Sequence, residues 1–333
     1  MNAAAWKSLF VAVLLLAGAS ANGMAQGAQA QVGVEVSAEL DKMYVRGLQY
    51  LLKSQAADGA WSDPQYGREP GVVGLAVVSM LAHGDDPNSG PYSQAIRKGL
   101  GYLLTQMHKG TGYMGRSMYN HGFATLALAE SYGVVSDPRL GPALESAIKL
   151  IVSSQAKNPQ GAWRYSPEST DADTTVSGAQ MVALFAARNA GIGVPEDAIQ
   201  KGIKYFLQCQ TPEGGFGYTS NNGPNGARAA IGCLVLALGR EKNSAAFKSA
   251  FKYLQSAPNQ NYYQQYFQYY AAQAFFHGSA EAWQGWNRKN IESLAASQEA
   301  DGSWGGQFGP TFSTAASLLS LALNYRYLPI YER

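Results

Sequence analysis

Arg46-Gly47-Leu48-Gln49-Tyr50-Leu51-Leu52-Lys53-Ser54-Gln55-Ala56-Ala57-Asp58-Gly59-Ala60-Trp61 places apolar residues at helical spacing, then a Gln near the helix end, then a Gly-aromatic turn. The cadence returns at Lys201-Gly202-Ile203-Lys204-Tyr205-Phe206-Leu207-Gln208-Cys209-Gln210, which runs on to Gly214-Gly215-Phe216. It returns again around Gln155 (then Gly161 and Trp163) and around Gln298 (then Gly302 and Trp304). Two weaker copies fill the gaps, one with Met107 in the Gln place before Gly112-Tyr113, the other with Pro258 there before Tyr262. The copies recur every 40 to 55 residues, which marks a helical-repeat architecture.

A second, more apolar helix follows each turn. The pattern predicts these at 71–83, 119–133, 174–190, 226–239, 263–277 and 312–325. The more polar helices before the turns fall at 36–55, 92–107, 139–155, 195–210, 243–255 and 281–297. A helix apolar all round has to be covered on every side, so twelve alternating helices predict two concentric rings. An open solenoid would need polar caps at both ends, and the apolar last helix, ending Tyr325-Arg326-Tyr327-Leu328-Pro329, is unlike one. The expected fold is all-α, a closed α/α toroid (an α6-α6 barrel) of six helical hairpins spanning 35–333.

The N-terminus predicts the compartment. Lys7 precedes an apolar core, Leu9 to Ala17, and then Gly18-Ala19-Ser20-Ala21, the three-part pattern of a secretory signal peptide. Residues 1–21 are read as that signal, with Ala25 and Ala30 as alternative cleavage points, and 22–34 as a flexible leader. The expected location is periplasmic or secreted. Charged residues are 14% of the chain and the formal charge is +2, with no basic stripe, which argues against a nucleic-acid partner. No later segment is apolar and long enough to be a transmembrane span. Cys209 and Cys233 fall about 10 Å apart along antiparallel helices, which puts them beyond disulfide reach.

The pattern basic-Gly-x-x-aromatic-Leu-x-x-x-Gln-x-x-x-Gly-x-Trp resembles the QW repeat of squalene-hopene and oxidosqualene cyclases. It covers nearly all of the chain beyond the leader. The chain is also similar to exported proteins with prenyltransferase and squalene-oxidase repeats, in Met118-Tyr119-Asn120-His121-Gly122-Phe123, Ala186-Ala187-Arg188-Asn189-Ala190-Gly191 and Tyr325-Arg326-Tyr327-Leu328-Pro329. The resemblance implies a terpene-cyclase-like toroid that binds, or isomerises by acid catalysis, an isoprenoid or other apolar ligand.

Asp171-Ala172-Asp173-Thr174-Thr175 opens the third inner helix, where class II terpene cyclases carry Asp-x-Asp-Asp. By that resemblance Asp173 is the Brønsted acid and Asp171 its neighbour. Thr174 stands where the pattern has its last Asp, so one carboxylate that tunes the acid is missing. Read from the residues alone, Asp173 before an apolar run is a helix N-cap. His121 with Tyr119 opens the second inner helix at the same expected rim, as an acid-base candidate or as a local hydrogen-bonding residue. Tyr262, Tyr266, Tyr269 and Tyr270 follow helical spacing and form either one wall of an apolar, cation-tolerant pocket or interhelical packing. Trp163 and Tyr165, beside the aspartates, complete the candidate substrate contacts.

Four scattered histidines and two cysteines show no metal-ligand spacing, so no metal or cofactor is expected. The partner expected at the rim is an apolar small molecule or a glycan. The two other readings are a non-catalytic exported binding protein for lipid, glycan or peptide, and a glycan-active enzyme. For the latter, Glu130 inside its helix and Glu168 on the loop are the weak candidates for a second carboxylate beside Asp173.

Overall fold

Among the described residues twelve helices alternate as the repeat requires. The computed structural model describes residues 36–257 and 263–331, so the segments expected to be a signal and a leader, together with Pro258 and Tyr262, lie outside the described residues. The outer helices are α1 (Ala38–Ser54), α3 (Ser93–Gln106), α5 (Leu140–Lys157), α7 (Glu196–Cys209), α9 (Ala245–Ser256) and α11 (Ala280–Ser297). The inner ones are α2 (Pro70–Leu81), α4 (Met118–Ser131), α6 (Thr174–Asn189), α8 (Gly226–Leu238), α10 (Gln264–Gly278) and α12 (Pro310–Ala322).

The inner helices pack side by side in chain order, and α12 then packs against α2 and closes the ring. Every residue of α2 and of α12 after Pro310 is buried, as a helix enclosed by two inner neighbours and an outer layer must be. Close approach is bought with small residues: a Cβ on Gly74 of α2 would stand 2.6 Å from the Phe123 carbonyl oxygen of α4. The toroid resemblance is therefore realised as two closed rings.

The repeat residues have defined jobs. Gln55 Nε2 donates to the carbonyls of Gly59 in its own turn and of Ala95 in the next outer helix, both at 3.0 Å. Gln155, Gln210 and Gln298 make the same two-way bridge, to Gly161 and Ala198, to Gly214 and Ala246, and to Gly302 and Met43. The Gln298 bridge joins the last repeat to the first and so closes the outer ring. Turn glycines are required at two of these sites: Gly59 and Gly302 adopt φ of 94°, and a Cβ there would strike the backbone of the next outer helix. The repeat tryptophans bond backward. Trp61, Trp163 and Trp304 donate Nε1–H to the carbonyls of Leu51, Ile151 and Leu294 at 2.9, 2.8 and 2.9 Å, satisfying carbonyls near the outer helix ends.

Beyond α12 the chain crosses the ring at the end opposite the inner-helix starts. A 3-10 turn, Pro329–Tyr331, packs against α6 there, with Ile330 and Tyr331 buried and Asn189 Nδ2 donating to the Pro329 carbonyl at 3.3 Å. Cys209 and Cys233 are both free thiols and both buried. No helix among the described residues is long and apolar enough to cross a membrane.

Candidate functional site

The first turns of all six inner helices contribute to one cavity of about 550 Å³, so the helices all start at the same end of the ring. Half of its lining residues are aromatic. Tyr119 and Phe123 come from α4, Tyr266 from α10 and Phe312 from α12, while Tyr66, Tyr165, Tyr218, Tyr263 and Phe308 come from the segments leading into the inner helices. The rings pack on one another: Tyr263 stacks on Phe308 at 5.7 Å, and Phe308 meets Phe312 edge-on at 5.0 Å. The lining also carries two charges, Glu69 at the start of the first inner helix and Arg228 in the fourth.

Asp173 caps α6. Its Oδ1 accepts from the backbone N–H groups of Thr175 and Val176, both at 2.8 Å, and from the Thr175 hydroxyl at 2.6 Å. Oδ2 is buried without a hydrogen bond among the described residues and faces the Arg164 Nε at 3.5 Å. Burial pushes the Asp173 pKa up, against the pull of the Thr175 and Val176 bonds and of Arg164. The side chain is fully buried and does not line the cavity. It reaches the cavity only through Thr175, whose hydroxyl donates to Asp173 and accepts from the Tyr119 hydroxyl. As drawn by these bonds, the chain points protons from Tyr119 toward Asp173, away from a ligand. A proton on Oδ2 would face Arg164.

Asp171 lies on the surface, 61% exposed, with Oδ2 at 3.2 Å from Arg164 Nη1. The Arg164 guanidinium also lies 5.3 Å from the centre of the Tyr165 ring and 5.2 Å from that of Tyr218, whose hydroxyls bond each other at 2.6 Å. Arg164 thus neutralises the acidic pair and orders the Tyr165–Tyr218 wall.

His121 is near the rim in sequence but turns outward. It is fully buried between α4 and α5, where Nδ1 accepts from the Met114 N–H at 3.2 Å and Nε2 donates to the Ala147 carbonyl at 3.1 Å. Burial lowers its pKa to about 4. In the repeat where Met107 replaces the Gln, His121 supplies the missing bridge from turn to outer helix. The residues predicted as substrate contacts divide likewise. Tyr119, Tyr165 and Tyr266 line the cavity. Trp163 is turned into the repeat by its Ile151 bond, and Tyr269 and Tyr270 are buried deeper in α10, packed edge-on against each other at 4.7 Å. Tyr119 and Tyr266 lie side by side, and burial raises both phenols, so they are neutral donors and acceptors.

Sequence reasoning missed Tyr66, Tyr218, Phe308 and Arg228. The first three sit in turns, with no helical spacing to expose them. Arg228 carried a signal: it is the lone charge in the otherwise apolar run Gly226–Leu238. Among the described residues no cluster of His, Cys, Asp or Glu side chains could hold a metal ion.

No family model matches the chain, and no curated protein does. Solved structures do. A variant of the type II terpene cyclase MstE from Scytonema, in complex with merosterolic acid A, superposes with a TM-score of 0.59 at 17% identity, over 87% of this chain and 98% of that one. An α-1,6-mannanase (GH76A) from Salegentibacter sp. HEL1_6 gives 0.65 at 8% identity, over 85% and 98%. A family 76 glycoside hydrolase from a bovine Bacteroides thetaiotaomicron strain gives 0.66 at 10% identity, over 87% and 78%. Together they define the class, a toroid of the architecture shared by terpene cyclases and these glycan hydrolases. At such identities the likeness is one of fold.

Proposed function

We propose that this toroid binds an elongated, mainly apolar small molecule of the isoprenoid class in the aromatic cavity at the inner-helix starts. The observation that carries this is the wall itself. Nine aromatic rings converge on about 550 Å³ of space, in the size range of small-ligand pockets. The signal-like leader supports a role after export, in the periplasm or outside the cell. Acid isomerisation by Asp173 is supported by the burial that raises its pKa, and any proton it delivers has to pass through Thr175 and Tyr119. A second reading, a glycan at the mouth, is favoured by Tyr66, Tyr165 and Tyr263, which are 46%, 46% and 40% exposed and offer ring faces for stacking.

The test is thermal unfolding of the full chain with geranylgeraniol in one arm and α-1,6-mannotetraose in the other. A ligand that binds only the folded state at 100 times its Kd stabilises by about 2.7 kcal/mol. Stabilisation by geranylgeraniol that is weakened in Tyr263→Ala and Phe308→Ala is the expected result. Stabilisation by the oligosaccharide alone, or by neither, overturns the isoprenoid reading.

A further inference from the structure

Arg228 has an unused charge in an otherwise balanced cavity. Glu69, across the ring, is already neutralised: Oε1 meets Arg116 at 3.1 Å and Oε2 accepts from Asn120 Nδ2 at 2.9 Å. Asp173 acts on Arg228 electrostatically, but it is buried behind Thr175 and Arg164 lies closer to it. Arg228 itself makes no ion pair among the described residues. Its Nε donates to the Phe216 carbonyl at 3.2 Å and its Nη2 to the Gly223 carbonyl, which locks the guanidinium plane. The two N–H groups of Nη1 have no partner among the described residues, on a side chain that lines the cavity and is half-buried. Tyr218 shields one side, its ring centre 5.9 Å from the guanidinium carbon. A fixed, partly desolvated guanidinium with spare donors is built to meet an anion.

We propose that the ligand's polar end is an anion, a carboxylate or a phosphate, held by Arg228 while its apolar body lies along the aromatic wall. This rests on the reading of the cavity as an apolar-ligand site. An amphiphilic acid answers both features of the cavity, the ring-lined volume and the single uncompensated cation.

The experiment compares binding of geranylgeraniol, geranylgeranoic acid and geranylgeranyl monophosphate to the wild-type chain, Arg228→Met and Arg228→Lys. One charge-assisted bond predicts that an anionic ligand binds wild type about tenfold or more tighter than the alcohol. Arg228→Met should erase that advantage, so that acid, phosphate and alcohol bind alike, and Arg228→Lys should keep part of it. Whichever anion loses more in Arg228→Met identifies the headgroup. Equal binding of acid, phosphate and alcohol by wild type overturns the proposal. So does an equal loss for all three ligands in both variants, which would make Arg228 only a clamp on the 216–223 loop. A benzoate titration separates the two readings: benzoate bound by wild type and not by Arg228→Met sustains the anion site even if no isoprenoid binds. Absence of both benzoate binding and anion preference overturns it.

Discussion

His121 Nε2 donates to the Ala147 carbonyl at 3.1 Å, and this bond stands in for a repeat glutamine. Nδ1 accepts from the Met114 N–H, so the ring is committed to one neutral tautomer, with no place for a second proton. Its folded pKa is about 4, against an ordinary 6.5 in the unfolded chain. Between those values the unfolded state binds a proton that the folded state refuses, so stability falls as pH drops from 6.5 toward 4. The full effect of this one residue is about 3 kcal/mol, from 1.36 kcal/mol per pKa unit. Urea unfolding at pH 7 and pH 4.5 should show a larger acid loss in wild type than in His121→Gln, which cannot titrate. Equal losses would remove His121 as the titrating group.

Asp173 separates capping from chemistry. Asn is as good an N-cap as Asp and keeps an oxygen for Thr175 and Val176, so Asp173→Asn should change stability by less than about 1 kcal/mol. Asp173→Ala leaves those two N–H groups and the Thr175 hydroxyl without their acceptor, and should lose about 1–2 kcal/mol. If the cavity isomerises its ligand by acid, product formation vanishes in Asp173→Asn while melting is preserved. If turnover persists in that variant, Asp173 is a cap and nothing more.

The hairpins were legible because each repeat marks its own punctuation. A bridging Gln followed by a Gly-aromatic turn marks four of the six hairpins, and the helix ends read from the repeat agree with the structure to within three residues. Cavity facing was not legible, for a physical reason. An inner helix such as α2 is buried on every side, so no amphipathic stripe tells which residues look inward. Tyr266 and Tyr270 share one helix one turn apart, yet only Tyr266 reaches the cavity. Tyr66, Tyr218 and Phe308 belong to turns separated by scores of residues, and only ring closure brings them together. The Asp173 cap was readable as local chemistry, whereas the turning of His121 toward α5 depended on Met107 having left its bridge unmade.

Ring closure can be tested at Gln298. Its Nε2 holds the Met43 carbonyl of α1 and the Gly302 carbonyl of its own turn, both at 2.9 Å. Gln298→Ala removes two hydrogen bonds at once and should destabilise by about 1–3 kcal/mol. Gln210→Ala breaks the equivalent pair inside the ring, to Gly214 and Ala246. In hydrogen exchange, Gln298→Ala should speed exchange in both α1 and α11, the two ends of the chain, while Gln210→Ala affects only α7 and α9. Exchange changes confined to α11 in Gln298→Ala would show that the closure is held by the inner ring alone.

The relay from Tyr119 through Thr175 to Asp173 predicts a polarity for ligand contact. With its proton engaged by Thr175, the Tyr119 oxygen can only accept, and since the neighbouring Tyr266 hydroxyl takes one lone pair, the one left suits a ligand donor such as a hydroxyl. Thr175→Val removes the acceptor and frees the Tyr119 proton to turn inward. Affinity for geranylgeraniol should then fall by about fivefold, the loss of roughly one net hydrogen bond. Its methyl ether, which can only accept, should gain or hold affinity in the same variant. Titration of both ligands against both proteins checks this. A parallel change for alcohol and ether would mean that Tyr119 contributes only its ring to the wall.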